Sequence, residues 1–84
     1  MVNVHYLKIW PSFFKDVKSG EKQFQVRKND RNFQIGDTLI LEEYDPSKGI
    51  YTGAWIPESI IYILDDKRFT KEGFVILGIQ EIKF

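Results

Sequence analysis

Four cations fall within ten residues of this 84-residue chain: Lys22, Arg27, Lys28 and Arg31. They follow a glycine in the run Gly20-Glu21-Lys22-Gln23-Phe24-Gln25-Val26-Arg27. A strand here would place Gln25 and Arg27 on one face and Phe24 and Val26 on the other. An amide beside a guanidinium offers donors and an acceptor together, which suits a base edge or a phosphate. The expectation is a nucleotide or RNA site. Lys22, Arg27, Lys28 and Arg31 would meet phosphate, Gln25 would read a base edge, and Asn29 would stand in the polar turn that follows. His5, Lys8 and Trp10 would lie near the mouth of the cleft, because the first strand and helix lead into this run. The competing structural reading is a solvated strand face, with ion pairs across to Glu42 or Glu43.

Other chemistry finds little support. His5 is the single histidine, and there is no cysteine. The His-x-x-x-His and Cys-x-x-Cys spacings of zinc sites are absent, so neither metal nor cofactor is expected. As a general base His5 would need a nucleophile in reach. Ser12, Ser19, Ser47 and Ser59 carry no nucleophile-elbow motif, so a structural or ligand-orienting His5 is expected. P-loop and dinucleotide fingerprints are missing. Glu42 and Glu43 are neighbours on one strand and point to opposite faces, which makes them a poor acid–base pair. Aromatic residues make up 15% of the chain. Trp10, Tyr44, Tyr51 and Trp55 flank expected turns or strand ends, where they could stack on bases. Phe13, Phe14, Phe24 and Phe74 are assigned to the core.

These residues must be positioned by a short helix and several strands. Val4–Ile9 is predicted as a strand, with Val4, Tyr6 and Lys8 sharing a face. Pro11 suits a first helical turn. Phe13 and Val17 share a stripe, and Gly20 stops the helix, giving a helix over 11–19. Strands are expected over Lys22–Lys28, Thr38–Tyr44, Ile50–Trp55, Glu58–Leu64 and Phe74–Ile82. Turns are expected at Asn29–Asn32, Gly36-Asp37 and Asp45–Gly49. Pro57 is read as excluding a central ladder position. The whole is expected to be one α+β, mainly β domain over 1–84. A small barrel or strongly bent sheet is expected to dominate it, and closing the sheet would remove exposed edges.

Net charge is zero, with 12 basic and 12 acidic groups, but the balance conceals two unlike halves. Residues 1–36 carry seven basic and three acidic groups, and residues 37–84 carry five and nine. The positive excess thus coincides with the Gly20–Arg31 segment. A neutral total argues against a long nucleic-acid groove and for a compact site. No run of roughly 18 apolar residues exists, so no membrane-spanning helix is expected. With no cysteine and no recognisable signal segment, a cytoplasmic setting is expected. A monomer is favoured.

Several residues together carry a resemblance. These are His5-Tyr6-Leu7-Lys8-Ile9-Trp10-Pro11, then Phe14, Val17, Gly20, Lys22, Phe24, Arg27, Asn29-Asp30-Arg31, Phe33, Gly36-Asp37 and Tyr51-Thr52-Gly53. The chain resembles a small bacterial and phage family of unknown function, itself similar to the ASCH domain (activating signal cointegrator homology) of the PUA-like superfamily. The resemblance implies a small PUA-like β-barrel of five to six mostly antiparallel strands with one or two short helices. Gly20, Lys22 and Arg27 match the ASCH motif Gly-x-Lys-x-x-(Glu or Thr)-x-Arg, which is thought to line an RNA or modified-nucleotide cleft. Some small ASCH-like proteins hydrolyse acetylated cytidine, using the motif Lys, Thr and a later Glu. Lys22 matches that Lys, and it would be catalytic only under such an activity. Gln25 replaces the nucleophile with an amide, which cannot attack, and no position is matched to the later Glu.

The leading expectation is therefore an RNA- or nucleotide-binding module. The alternatives are a small amidohydrolase acting on a modified nucleoside and a phage or plasmid accessory protein acting through a protein partner.

Overall fold

The computed structural model describes residues 2–83. Its elements are β1 (Val4–Ile9), α1 (Pro11–Ser19), β2 (Phe24–Lys28), β3 (Thr38–Asp45), β4 (Ile50–Leu64) and β5 (Phe74–Glu81). They form a mainly β molecule, a single five-stranded sheet in the order β1-β3-β4-β5-β2 that curls into a half-barrel. Three of the strand pairings are antiparallel, while β1 runs parallel to β3. This is the strongly bent sheet expected from the sequence, short of a closed barrel. β1 and β2 remain the two edges, and the gap between them is where the site forms.

α1 follows local rules at both ends. Pro11 occupies the first turn, where its missing N–H would have no intrahelical partner. Gly20 takes the left-handed conformation at φ 86°, and its N–H donates to Val17 O at 3.1 Å. Phe14 and Val17 turn inward. A helix of nine residues is not stable alone, and its docking on the sheet supplies what propensity does not.

The core lies inside the curl. Leu7 and Ile9 of β1 meet Leu39 and Leu41 of β3, Ile56 and Ile60 of β4, and Val75, Leu77 and Ile79 of β5. Phe14, Val17 and the loop residue Phe33 close it. His5 also points inward. Its Nε2 lies 2.8 Å from Asp37 Oδ2, and its ring meets Phe33 edge-on at 4.8 Å. Burial raises the Asp37 carboxyl's pKa. The hydrogen bonds from His5 and from the backbone N–H groups of Gln34 and Asn3 outweigh that effect and hold it below the ordinary carboxylate range. This cluster ties the start of β1 to the loop before β3.

Two sequence expectations need correction. Ile50–Trp55 and Glu58–Leu64 form one continuous strand, β4, with Pro57 inside it. Pro57 O accepts from Ile82 N–H at 3.0 Å, so its missing N–H faces the chain just beyond the end of β5. The ladder loses a bond only at its terminus. The second correction concerns β2. Phe24 and Val26 are 44% and 54% exposed, whereas Gln25 is 3% exposed. The strand is inverted relative to the expected apolar-in arrangement. Phe13 is likewise exposed rather than buried.

Candidate nucleotide cleft between the edge strands

The inverted strand opens onto a cleft of about 500 Å³. β1 and the residue after it supply Lys8, Ile9 and Trp10. α1 supplies Phe13, and Lys22 precedes the β2 residues Phe24, Gln25, Val26 and Arg27. Trp10 is 56% exposed, held at the helix entrance with its backbone extended and its carbonyl accepting from Phe14 N–H at 2.8 Å. Trp10, Phe13 and Phe24 thus give the cleft aromatic walls.

The polar groups come from alternate positions of β2. Gln23 O accepts from Ile79 N–H, and Asn29 N–H donates to Gly73 O, so odd-numbered residues of β2 turn their backbone toward β5. Their side chains point into the curl, which buries Gln25 and half-buries Arg27. One Arg27 terminal nitrogen donates to Lys8 O across the gap and lies 3.4 Å from Gln25 Oε1. Two donors are left over. Gln25 Nε2 and Arg27 Nε are buried with no hydrogen-bond partner among the described residues. A buried donor without a partner costs about 1–3 kcal/mol. Both belong to residues that border the cleft, and a small turn of either side chain would offer its donor to an acceptor-bearing ligand there.

Lys22 stands at the rim. Its ammonium donates to Phe24 O at 2.7 Å and lies 4.6 Å from the Phe24 ring centre and 5.4 Å from that of Phe13. Burial lowers its pKa, and Arg27 adds to this, with Asp16 opposing. Burial also lowers the pKa of Arg27, helped by Arg31 and opposed by Asp30.

A second cavity, of about 290 Å³, lies behind Lys22. Its walls include Val17, Gln23, Ile79, Gln80, Glu81 and Glu58. Glu58 occupies an inward position between Ile56 and Ile60 on β4 and is 3% exposed. Its Oε2 is buried without a partner. Burial, reinforced by the charge of Glu81, pushes the Glu58 carboxyl up to about 7.

Of the residues expected at the site, Lys8, Trp10, Lys22, Gln25 and Arg27 border the cleft. Lys8 does so through its place on the strand, since its ammonium lies 4.4 Å from the Tyr44 ring centre on the outer face. His5 stands outside it, engaged with Asp37. Lys28 and Asn29 also lie outside, at the far end of β2. Arg31 donates to Tyr6 O at 2.8 Å along the same seam. The anticipated pairing of Arg27 with Glu42 or Glu43 does not form, because the guanidinium is held by a backbone carbonyl. Tyr44 and Tyr51 pack edge-to-face at 5.0 Å away from the cleft, and Trp55 borders a shallow pocket with Tyr6, Ile40 and Glu42 on the outer face. Sequence reasoning missed Phe13, Phe24 and Val26 as cleft walls, and it missed Glu58. The signal for Glu58 was present as the one acid interrupting an apolar alternation, Ile56-Glu58-Ile60.

No group of three or more His, Asp or Glu that could hold a metal occurs among the described residues. No helix there is long and apolar enough to cross a membrane.

Comparison with known proteins places these features in context. The family described as "Domain of unknown function (DUF3850)" matches residues 4–79. An uncharacterized 12.9 kDa protein in the GpA 3'region of Escherichia phage P2 is 37% identical over 65 residues. That match covers 77% of this chain and 58% of the phage protein. The crystal structure of hypothetical protein PH0355 superposes with a TM-score of 0.64 at 14% identity, covering 94% of this chain and 99% of that one. That likeness is one of fold.

Proposed function

The chain belongs to the DUF3850 family, and from the cleft of this member we propose that it is an RNA- or nucleotide-binding module. The observation that carries the proposal is the pair of orphaned buried donors, Gln25 Nε2 and Arg27 Nε, beside the aromatic walls Trp10, Phe13 and Phe24. A nucleobase has a π-face for the walls and acceptors for the donors, and its phosphate suits Lys22 and the guanidinium. The likeness of Gly20, Lys22 and Arg27 to the ASCH motif supports the same reading. The cleft is short, so one or two nucleotides of a single strand fit it better than a duplex, whose A-form major groove side chains cannot enter. Hydrolysis of an acetylated nucleoside is the weaker reading, because the amide of Gln25 stands where a nucleophile is needed.

Binding of a single-stranded RNA hexamer, followed by quenching of Trp10 fluorescence in a Trp55→Phe background, tests the proposal. Two phosphate contacts predict a log–log salt slope of about −1.4. Arg27→Ala should weaken binding roughly tenfold or more, and Trp10→Ala should remove a stack worth about 1–3 kcal/mol. A salt-independent affinity, or one unchanged by Arg27→Ala, would rule the reading out.

A further inference from the structure

The Glu58 cavity has no role in the reading just given. A carboxyl this deeply buried ordinarily has a cation or several donors around it. Glu58 has neither: among the described residues it forms no salt bridge, and Oε2 is orphaned. Hydrogen bonding plays no part in what shifts its pKa. Neither oxygen is committed to a donor among the described residues; Oε2 is covered, and a turn of the carboxyl about its terminal bond would present both oxygens to the cavity.

The charges around it narrow that occupant. The charged groups bordering the cavity are Glu58 and Glu81 on β4 and β5, Lys22 ahead of β2, and Lys83 beyond β5. The faces contributed by α1 and by Ile79 are apolar. The Lys22 ammonium is turned to Phe24 O in the neighbouring cleft, and Glu81 rather than either lysine acts on Glu58, so the carboxylate faces the cavity without a cation of the described residues against it. Under the nucleotide reading of the neighbouring cleft, the group that suits a carboxylate is a base edge with two adjacent N–H donors. Among the four RNA bases, only guanine presents that on its Watson–Crick edge, at N1–H and N2–H₂. Adenine and cytosine present a donor beside an acceptor, and uracil presents a single N–H between two carbonyls. Single-stranded RNA is commonly read on that edge.

We propose that the cavity behind Lys22 is a guanine-selecting subsite, with the Glu58 carboxylate accepting from N1–H and N2–H₂. The proposal rests on the nucleotide reading of the neighbouring cleft, with which the cavity shares Lys22 as a wall. Guanine would occupy the subsite while the adjacent base of the same strand lies among the aromatic walls.

The test compares three RNA hexamers: all uridine, the same with one guanosine, and the same with one inosine, which lacks the N2 amine. At pH 8 the wild-type protein should bind the guanosine hexamer about tenfold more tightly than the uridine hexamer, with inosine between them. Lowering the pH to 6 protonates Glu58 and should shrink that preference. Glu58→Gln should abolish it while leaving uridine-hexamer affinity within about twofold. Equal wild-type affinity for guanosine and uridine overturns the subsite while leaving the cleft standing, as does a guanosine preference that survives Glu58→Gln. Absence of binding to all three hexamers overturns the subsite and the cleft together. The inosine comparison uses wild-type protein alone, so it decides the matter even if the variant folds poorly.

Discussion

Glu58 ties stability to pH at the scale of a single residue. Its carboxyl is pushed up to about 7 in the folded chain from an ordinary value near 4.5. The folded state therefore holds a proton that the unfolded state has released between those values. Stability should fall as pH rises from about 4.5 to about 7 and then level off, with a loss on the order of 3 kcal/mol from this group. Glu58→Gln removes the ionisation and should flatten that slope. Thermal denaturation at pH 5 and pH 8 checks it: the variant should be the more stable protein at pH 8, and an unchanged alkaline decline would refute the assignment. Under the proposed subsite, keeping that carboxylate unpaired at the expense of the fold is a familiar stability–function trade.

At the scale of elements, the decisive object is β2. Alternation shows that Phe24 and Val26 oppose Gln25 and Arg27, but it carries no sign. Which face is inside depends on what packs against each, and that is a tertiary fact. In a closed sheet the apolar face would have been covered. At the edge of an open one, the inward face meets the cleft, and the polar pair occupies it. The consequence is measurable. Phe24→Ser should cost under about 1 kcal/mol in a urea titration, since the ring is already 44% exposed. Leu77→Ala, at a fully buried position on the neighbouring strand, should cost about 2–5 kcal/mol. Phe24→Ser should nonetheless weaken the proposed RNA binding, and comparable stability losses in the two variants would place the aromatic ring in the core instead.

How much of this was legible beforehand follows the same division. Pro11 and Gly20 bracket the helix because their constraints are local, and the Asp45–Gly49 turn was readable for the same reason. The faces of β1 were readable in part, since Val4, Tyr6 and Lys8 do share a side. What escaped depends on distant chain. Pro57 is tolerated because β5 ends opposite it, and His5 is drawn inward by Asp37, 32 residues away. Gly20, Lys22, Gln25 and Arg27 could be singled out as a motif. That Arg27 would reach back to β1 could not, because it requires knowing that the first and second strands become opposite edges of one sheet.

For the molecule as a whole, an open sheet leaves edges that invite pairing with another chain. Here cationic side chains occupy edge carbonyls: Arg31 on Tyr6, Arg27 on Lys8, and Lys22 on Phe24. Arg31→Ala, which leaves the cleft lining intact, should therefore raise self-association at high concentration. Sedimentation velocity would show it, and a strictly monomeric variant would mean that the edge needs no such cover.

The same seam gives the protein a clasp with a spare hand. Arg27 holds the Lys8 carbonyl through a terminal nitrogen while its Nε stays unpartnered among the described residues. An acceptor that takes Nε does not compete with the carbonyl; it holds the guanidinium from its second side. Occupancy should therefore be reported as slower amide exchange along the first and second strands, beyond the residues the ligand touches. In this fold, filling the cleft and fastening its margin would be two readings of one event.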